Sequence, residues 1–137
     1  MVFSFSVPFV KGKGRARHRK GSGIEYTPRP TAQAMEAIRR AFLEAGGFPA
    51  PPGIPVELHV TTIRPPRARL PKQYVSEPDL QKPDIDNVAK LVMDALNGEA
   101  YGDDSQVTHI VAGKSDRERG VKPTTFVWVR WEEDADV

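Results

Sequence analysis

Lys82–Val107 reads KPDIDNVAKLVMDALNGEAYGDDSQV, and its spacing decides most of what can be said of the chain. Ile85, Val88, Leu91, Val92, Ala95 and Leu96 recur at the interval of a helix with one buried face. The spacing predicts a helix over about residues 85–97. On a wheel of 100° per residue, Asp86, Lys90, Asp94 and Asn97 fall within an arc of about 80°, opposite the apolar stripe. Asp84 follows Pro83 and stands where the helix begins, as its cap or as the end of an extended segment. A second acidic knot, Asp103-Asp104, comes in the loop after the helix. Carboxylates grouped in this way repel one another, and a hard divalent cation is the natural compensation.

A purely structural account competes with that one. Asp84 would cap the helix, Asp86 would complement its dipole, and Lys90 would pair with Asp86 and Asp94 one turn away on either side. It leaves the second acidic knot unexplained. A calcium loop opening at Asp84 fails, because Ala89 stands where glycine is needed and Ala95 where a bidentate glutamate is needed. A restriction-type nuclease motif fails too, since Lys90 is one helical turn from Asp86 and not on a downstream strand.

Outward from this stretch the charge is lopsided. Residues 1–72 carry 13 Lys/Arg against 4 Asp/Glu, and residues 73–137 carry 7 against 14. A metal-dependent enzyme acting on a polyanion needs such a division, with a basic half for phosphates and an acidic half for the metal. A solvated surface that happens to segregate its charge would look the same. The 137 residues suit one domain, 1–137, with a single core. The chain has no cysteine, which excludes disulfides and thiolate zinc sites and favours a cytoplasmic setting. No run is apolar enough to span a membrane, and no signal peptide is visible.

Residues 2–10 alternate as a strand, and Lys11–Gly23 is a basic, glycine-rich loop expected to be flexible. Ile24–Thr27 is a short extended piece. Thr31 is the expected N-cap of a helix over about 31–45, which Gly46-Gly47 ends. Val56, Leu58, Val60 and Thr62 mark a second strand. Residues 64–83 hold five prolines and no periodicity, and a loop of that length in a small domain is usually functional or disordered. Gln106–Ala112 and Thr124–Trp131 are two last strands, expected to form a hairpin around a charged turn at Lys114–Lys122. The acidic tail 132–137 is expected to fray. The order β-α-β-α-β-β predicts an α+β fold, a small mixed sheet of about four strands packed with two helices. His18, His59 and His109 are isolated and read as surface or strand residues.

KPDIDN, Lys90, DALNG (Asp94–Gly98) and DDSQV (Asp103–Val107) together resemble the RusA family of Holliday junction resolvases, encoded largely by phages and prophages. The upstream VKGKGRARHRKGSGIEYTPRPT (Val10–Thr31) is similar to that family's basic N-terminal segment, and the similarity spans roughly residues 3–130. The resemblance implies a homodimeric α+β endonuclease that cuts four-way DNA junctions with Mg²⁺, Mn²⁺ substituting. It implies that Asp84, Asp86 and Asp104 are the essential acids and metal ligands, and that Lys90 is the catalytic lysine. The expected DNA contacts are Lys11, Lys13, Arg15, Arg17, Arg19, Lys20, Arg64, Arg67, Arg69 and Lys72, on phosphates more than on base edges. Two symmetric cuts suit a twofold enzyme, with Phe3, Phe5, Phe126, Trp128 and Trp131 as interface candidates. Two other functions compete: a nuclease of flaps or forks with the same site, and a non-catalytic nucleic-acid-binding module with no metal.

Overall fold

The computed structural model describes residues 1–14, 17–18, 23 and 25–133. Four strands form the main sheet: β1 (Val2–Val7), β4 (Val56–Ile63), β6 (Val107–Lys114) and β8 (Thr124–Arg130). Two helices cover one face, α1 (Arg29–Glu44) and α2 (Ile85–Leu96). The other strands are two-residue pieces: β2 (Arg17–His18) pairs β3 (Glu25–Tyr26), and β5 (Ser76–Glu77) pairs β7 (Arg117–Glu118). The α+β class and the mixed four-stranded sheet are as expected.

The strand order is β1-β8-β4-β6. β8 runs antiparallel to both β1 and β4, while β6 lies parallel to β4. The expected hairpin between the last two strands is therefore absent, and β4 lies between them. A parallel pair needs a long crossover, and α2 supplies it between β4 and β6. The residues after β6 are not a tight turn either. They form β7 and carry Arg117 into a buried cluster, and the chain then returns as β8 in the interior of the sheet.

Alternation along the strands builds the core. Val56, Leu58, Val60 and Thr62 point inward from β4, as do Thr125, Val127 and Val129 from β8. They meet Ala34, Ile38 and Phe42 of α1 and Val88, Leu91, Val92, Ala95 and Leu96 of α2. Each fully buried aliphatic side chain of this kind contributes about 1.5–3 kcal/mol. The burial of α2 on one stripe fixes where its opposite stripe points, and that stripe holds the acids.

Two boundaries differ from expectation. β1 ends at Val7 because Pro8 has no amide to give the ladder. α1 starts at Arg29 after Pro28, with proline in its first turn, so Thr31 lies inside the helix and not at its cap. Thr31 is buried and its Oγ1 accepts from the Gly14 amide at 3.2 Å. The 64–83 loop is tied down by the β5–β7 pair and by ion pairs described below. Ile24 and the tail beyond Glu133 lie outside the described residues.

Candidate active site

Asp84 is the N-cap residue of α2 in extended conformation, yet its side chain makes no capping hydrogen bond. Its backbone carbonyl closes the first turn instead, accepting from the amides of Asn87 at 3.1 Å and Val88 at 3.2 Å. The carboxylate is thus left over. Asp86 and Lys90 are exposed on the outer stripe, and neither forms an ion pair among the described residues. The i,i+4 bridges of the purely structural account do not form. Asp94, which should have shared Lys90, pairs with Lys13 at 2.5 Å.

Behind α2 the chain doubles back sharply. Asn97 is the C-cap, and Gly98 turns at φ 86°, a conformation that glycine adopts without strain. The Gly98 amide donates to Tyr101 O at 2.8 Å, and Ala100 donates to Leu96 O at 2.9 Å. Gly102, four residues on, has no positive φ. Tyr101 is wholly buried, and its hydroxyl donates to Met93 O at 2.8 Å. Burial first, then the charges of Asp104 and Asp94, push its ionisation far above the usual range, so it remains a neutral donor. The Gly98–Tyr101 hydrogen bond and the Asn97–Tyr101 bridge fold the chain back at the end of α2, three residues before Asp104.

The two acids of the second knot have separate tasks. Asp103 caps a single 3-10 turn, Asp104–Gln106, accepting from the Ser105 amide at 3.3 Å. Those Ser105 hydrogen bonds hold its carboxyl below the ordinary value. Asp104 is exposed, and its carboxylate makes no hydrogen bond or ion pair among the described residues. Gln106, to which no role falls in the sequence, is the staple. Its Nε2 donates to Pro51 O at 3.0 Å and Ile54 O at 3.1 Å, and its Oε1 accepts from the Gly102 amide at 3.0 Å. It holds the Asp104 turn against the loop before β4.

The segment leading into Asp84 is fixed by a cluster that sequence reasoning missed. The Asp79 carboxylate is fully buried and receives Arg64 Nε at 2.8 Å and Nη2 at 2.5 Å, Arg117 at 3.4 Å and Lys114 at 4.0 Å. Arg64 also donates to Lys82 O and Gln81 O, each at 3.0 Å. Burial raises the Asp79 carboxyl, but the Arg64 hydrogen bonds and charge, with Arg117, outweigh it and hold it below the ordinary value. Nothing local in SEPDL signals this, since the partners come from β4's end and from β6–β7.

The expected DNA contacts fall into four groups. Lys11, Lys13, Arg69 and Lys72 are exposed. Arg67 is more than half exposed but bonds Glu77 at 2.6 Å. Arg64 spends four of its five N–H donors on Asp79 and on the Gln81 and Lys82 carbonyls, so it builds the loop and keeps a single Nη1 hydrogen for any other partner. Arg15, Arg19 and Lys20 lie outside the described residues, and Arg17 contributes backbone to β2.

Among the described residues, no three acidic or histidine side chains stand close enough to hold a metal ion as they are placed. Asp84, Asp86 and Asp104 suit a hard cation by their chemistry, as carboxylates with no partner among the described residues. They do not form a ready-made cage.

The family model for RusA endodeoxyribonuclease matches residues 7–130, nearly the whole chain. The chain belongs to that family. The RusA family comprises endodeoxyribonucleases that resolve Holliday junctions, so branched DNA is the substrate this chemistry serves. No curated protein matches the sequence. Within the matched span lie Asp84, Asp86, Lys90 and Asp104, along with the two features legible only in three dimensions, the Asp79 cluster and the Lys13–Asp94 pair.

Proposed function

We propose that the protein cuts four-way junctions as a Mg²⁺-dependent homodimer, with Asp84, Asp86 and Asp104 as metal ligands and Lys90 at the scissile phosphate. The observation that carries this is the pattern of commitment. Around α2, Asp79, Asp94 and Asp103 are each satisfied by protein partners. Asp84, Asp86, Asp104 and Lys90 are not, among the described residues. Uncommitted charges at the start of a rigid helix, on its outer face and in the turn that follows it are what a metal site and a phosphate contact require.

Bound Mg²⁺, or Mn²⁺ in its place, supplies a nucleophilic water and offsets the charge that develops on the phosphate. The protein's own residues do the rest. Asp84 and Asp86 would hold the ion from the start of α2, where the Asp79 cluster fixes the preceding backbone. Asp104 would complete the ligand set from the turn stapled by Gln106. Lys90 presents an unpaired ammonium to the phosphate oxygen. Lys11, Arg69 and Lys72, with the basic loop that follows Lys11, hold the flanking backbones.

The homodimer finds support in the face of the sheet that α1 and α2 leave open. Phe126 is 51% exposed there, and Trp128 is half-buried beside it, stacked on His59 at 3.5 Å. Phe3 and Trp131 are buried in the core and Phe5 packs against it, so those three serve the fold. A bacterial cytoplasm is the setting we assign, and no helix among the described residues is long and apolar enough to cross a membrane.

Asp86→Asn tests the reading. It should abolish cleavage, by a thousandfold or more on the scale of ~4 kcal/mol for a lost catalytic electrostatic group, and leave junction binding intact. Lost binding with unchanged cleavage per bound complex would contradict it.

A further inference from the structure

Asp94 lies one helical turn beyond Lys90 on α2. An acid and a lysine so placed ordinarily pair, if weakly. Here Asp94 is taken by Lys13, from the opposite end of the chain, at 2.5 Å. The backbone leaves Lys13 little choice of position. Its amide donates to Asn87 O of α2 at 3.0 Å, and the next amide, of Gly14, donates to Thr31 Oγ1 at 3.2 Å.

The two flanking glycines make the approach feasible. A β-carbon on Gly12 would lie 3.0 Å from Pro83 Cβ and 3.1 Å from Asn87 Cβ. One on Gly14 would lie 2.5 Å from Thr31 Oγ1, closer than real atoms come. The root of the basic arm is therefore laid directly on the start of both helices, with Lys13 reaching between them to Asp94.

We propose that Lys13 is a positioning residue for cleavage: by holding Asp94 it keeps Lys90 unpaired, and it fixes the basic arm against the catalytic helix. The proposal rests on the nuclease reading above. Without Lys13, the Asp94 carboxylate faces Lys90 one turn away and draws the ammonium along the helix, off the phosphate. Lys13 thus acts on the rate through Asp94 and Lys90, in addition to any attraction it has for DNA.

A suppression experiment tests this. Lys13→Met should lower the single-turnover cleavage rate at saturating junction DNA by about tenfold, the scale of a misplaced catalytic group. Adding Asp94→Asn to it should restore most of that rate, because no carboxylate is left to divert Lys90. A lysine that only contacts phosphate would give a higher KM with an unchanged saturated rate and no rescue, which would overturn the proposal. Melting without DNA at low salt reads the pair separately: the Lys13→Met and Asp94→Asn shifts should not add in the double variant, and additive shifts would overturn the pair. A wild-type protein that cuts no branched DNA would overturn the nuclease reading itself.

Discussion

Two groups of carboxylates lie five residues apart in the chain and are treated in opposite ways. Asp79 is fully buried, with three cations on a single carboxylate and its ionisation held low. Asp84 and Asp86 are exposed, with no cation among the described residues and without the capping bond that the position of Asp84 would allow. The difference separates construction from chemistry. Where the fold supplies its own countercharge, the acid holds the chain in place. Where it withholds one, the acid is available to an ion from outside.

The largest effect should come from breaking the built group. Asp79→Asn strands Arg64, Arg117 and Lys114 around a neutral amide and should cost roughly 3–5 kcal/mol in chemical denaturation. Asp84→Asn, at an exposed position, should stay within about 0.5 kcal/mol of the wild type or gain slightly. The acid limb carries the same signature. The Asp79 carboxyl is lower in the folded state than its ordinary 3.8, so its contribution is complete above that pH and is lost as pH falls through the folded value. Asp79→Asn should flatten that acid limb, and a limb identical to wild type would show that Asp79 is not the group protonated.

Lys90→Ala sharpens the other side of the comparison. It should slow single-turnover cleavage by about a hundredfold with a melting temperature near that of the wild type. If Lys90 were a helix partner after all, the rate would hold and stability would fall by a few tenths of a kcal/mol.

The sequence shows one half of this contrast and hides the other. The acids of α2 are legible because a helical period ties them to a buried stripe, and Ile85 to Leu96 keep that period without a break. Asp104 is legible through its motif, though its return toward α2 depends on the turn at Gly98 and on Gln106, whose partners Pro51 and Ile54 come from another loop. Asp79 is hidden because its partners stand at Arg64, Lys114 and Arg117 and no periodicity joins them. The place of β8 between β1 and β4 is hidden for the same reason, since alternation fixes which face a strand buries and says nothing of its neighbours. Lys13 reads only as one more charge in a basic run until the chain brings it to Asp94.

The smallest expected effect separates the cations. Neutralising Lys11, Arg69 and Lys72 together should make the slope of log K against log salt shallower by up to about three units, near one per phosphate contact. Arg64→Met, which removes a structural cation, should leave that slope unchanged. A shallower slope for Arg64→Met would return it to the DNA-binding set.

The central claim is that Asp84, Asp86 and Asp104 are left free for a cation. Thermal melting with and without Mg²⁺ or Mn²⁺ tests it most directly, because an ion that binds only the native state raises its melting temperature. The wild type should melt higher with either ion, and Asp104→Asn should show a much smaller rise. Equal rises in the two proteins would contradict the account, for they would mean that Asp104 holds no metal.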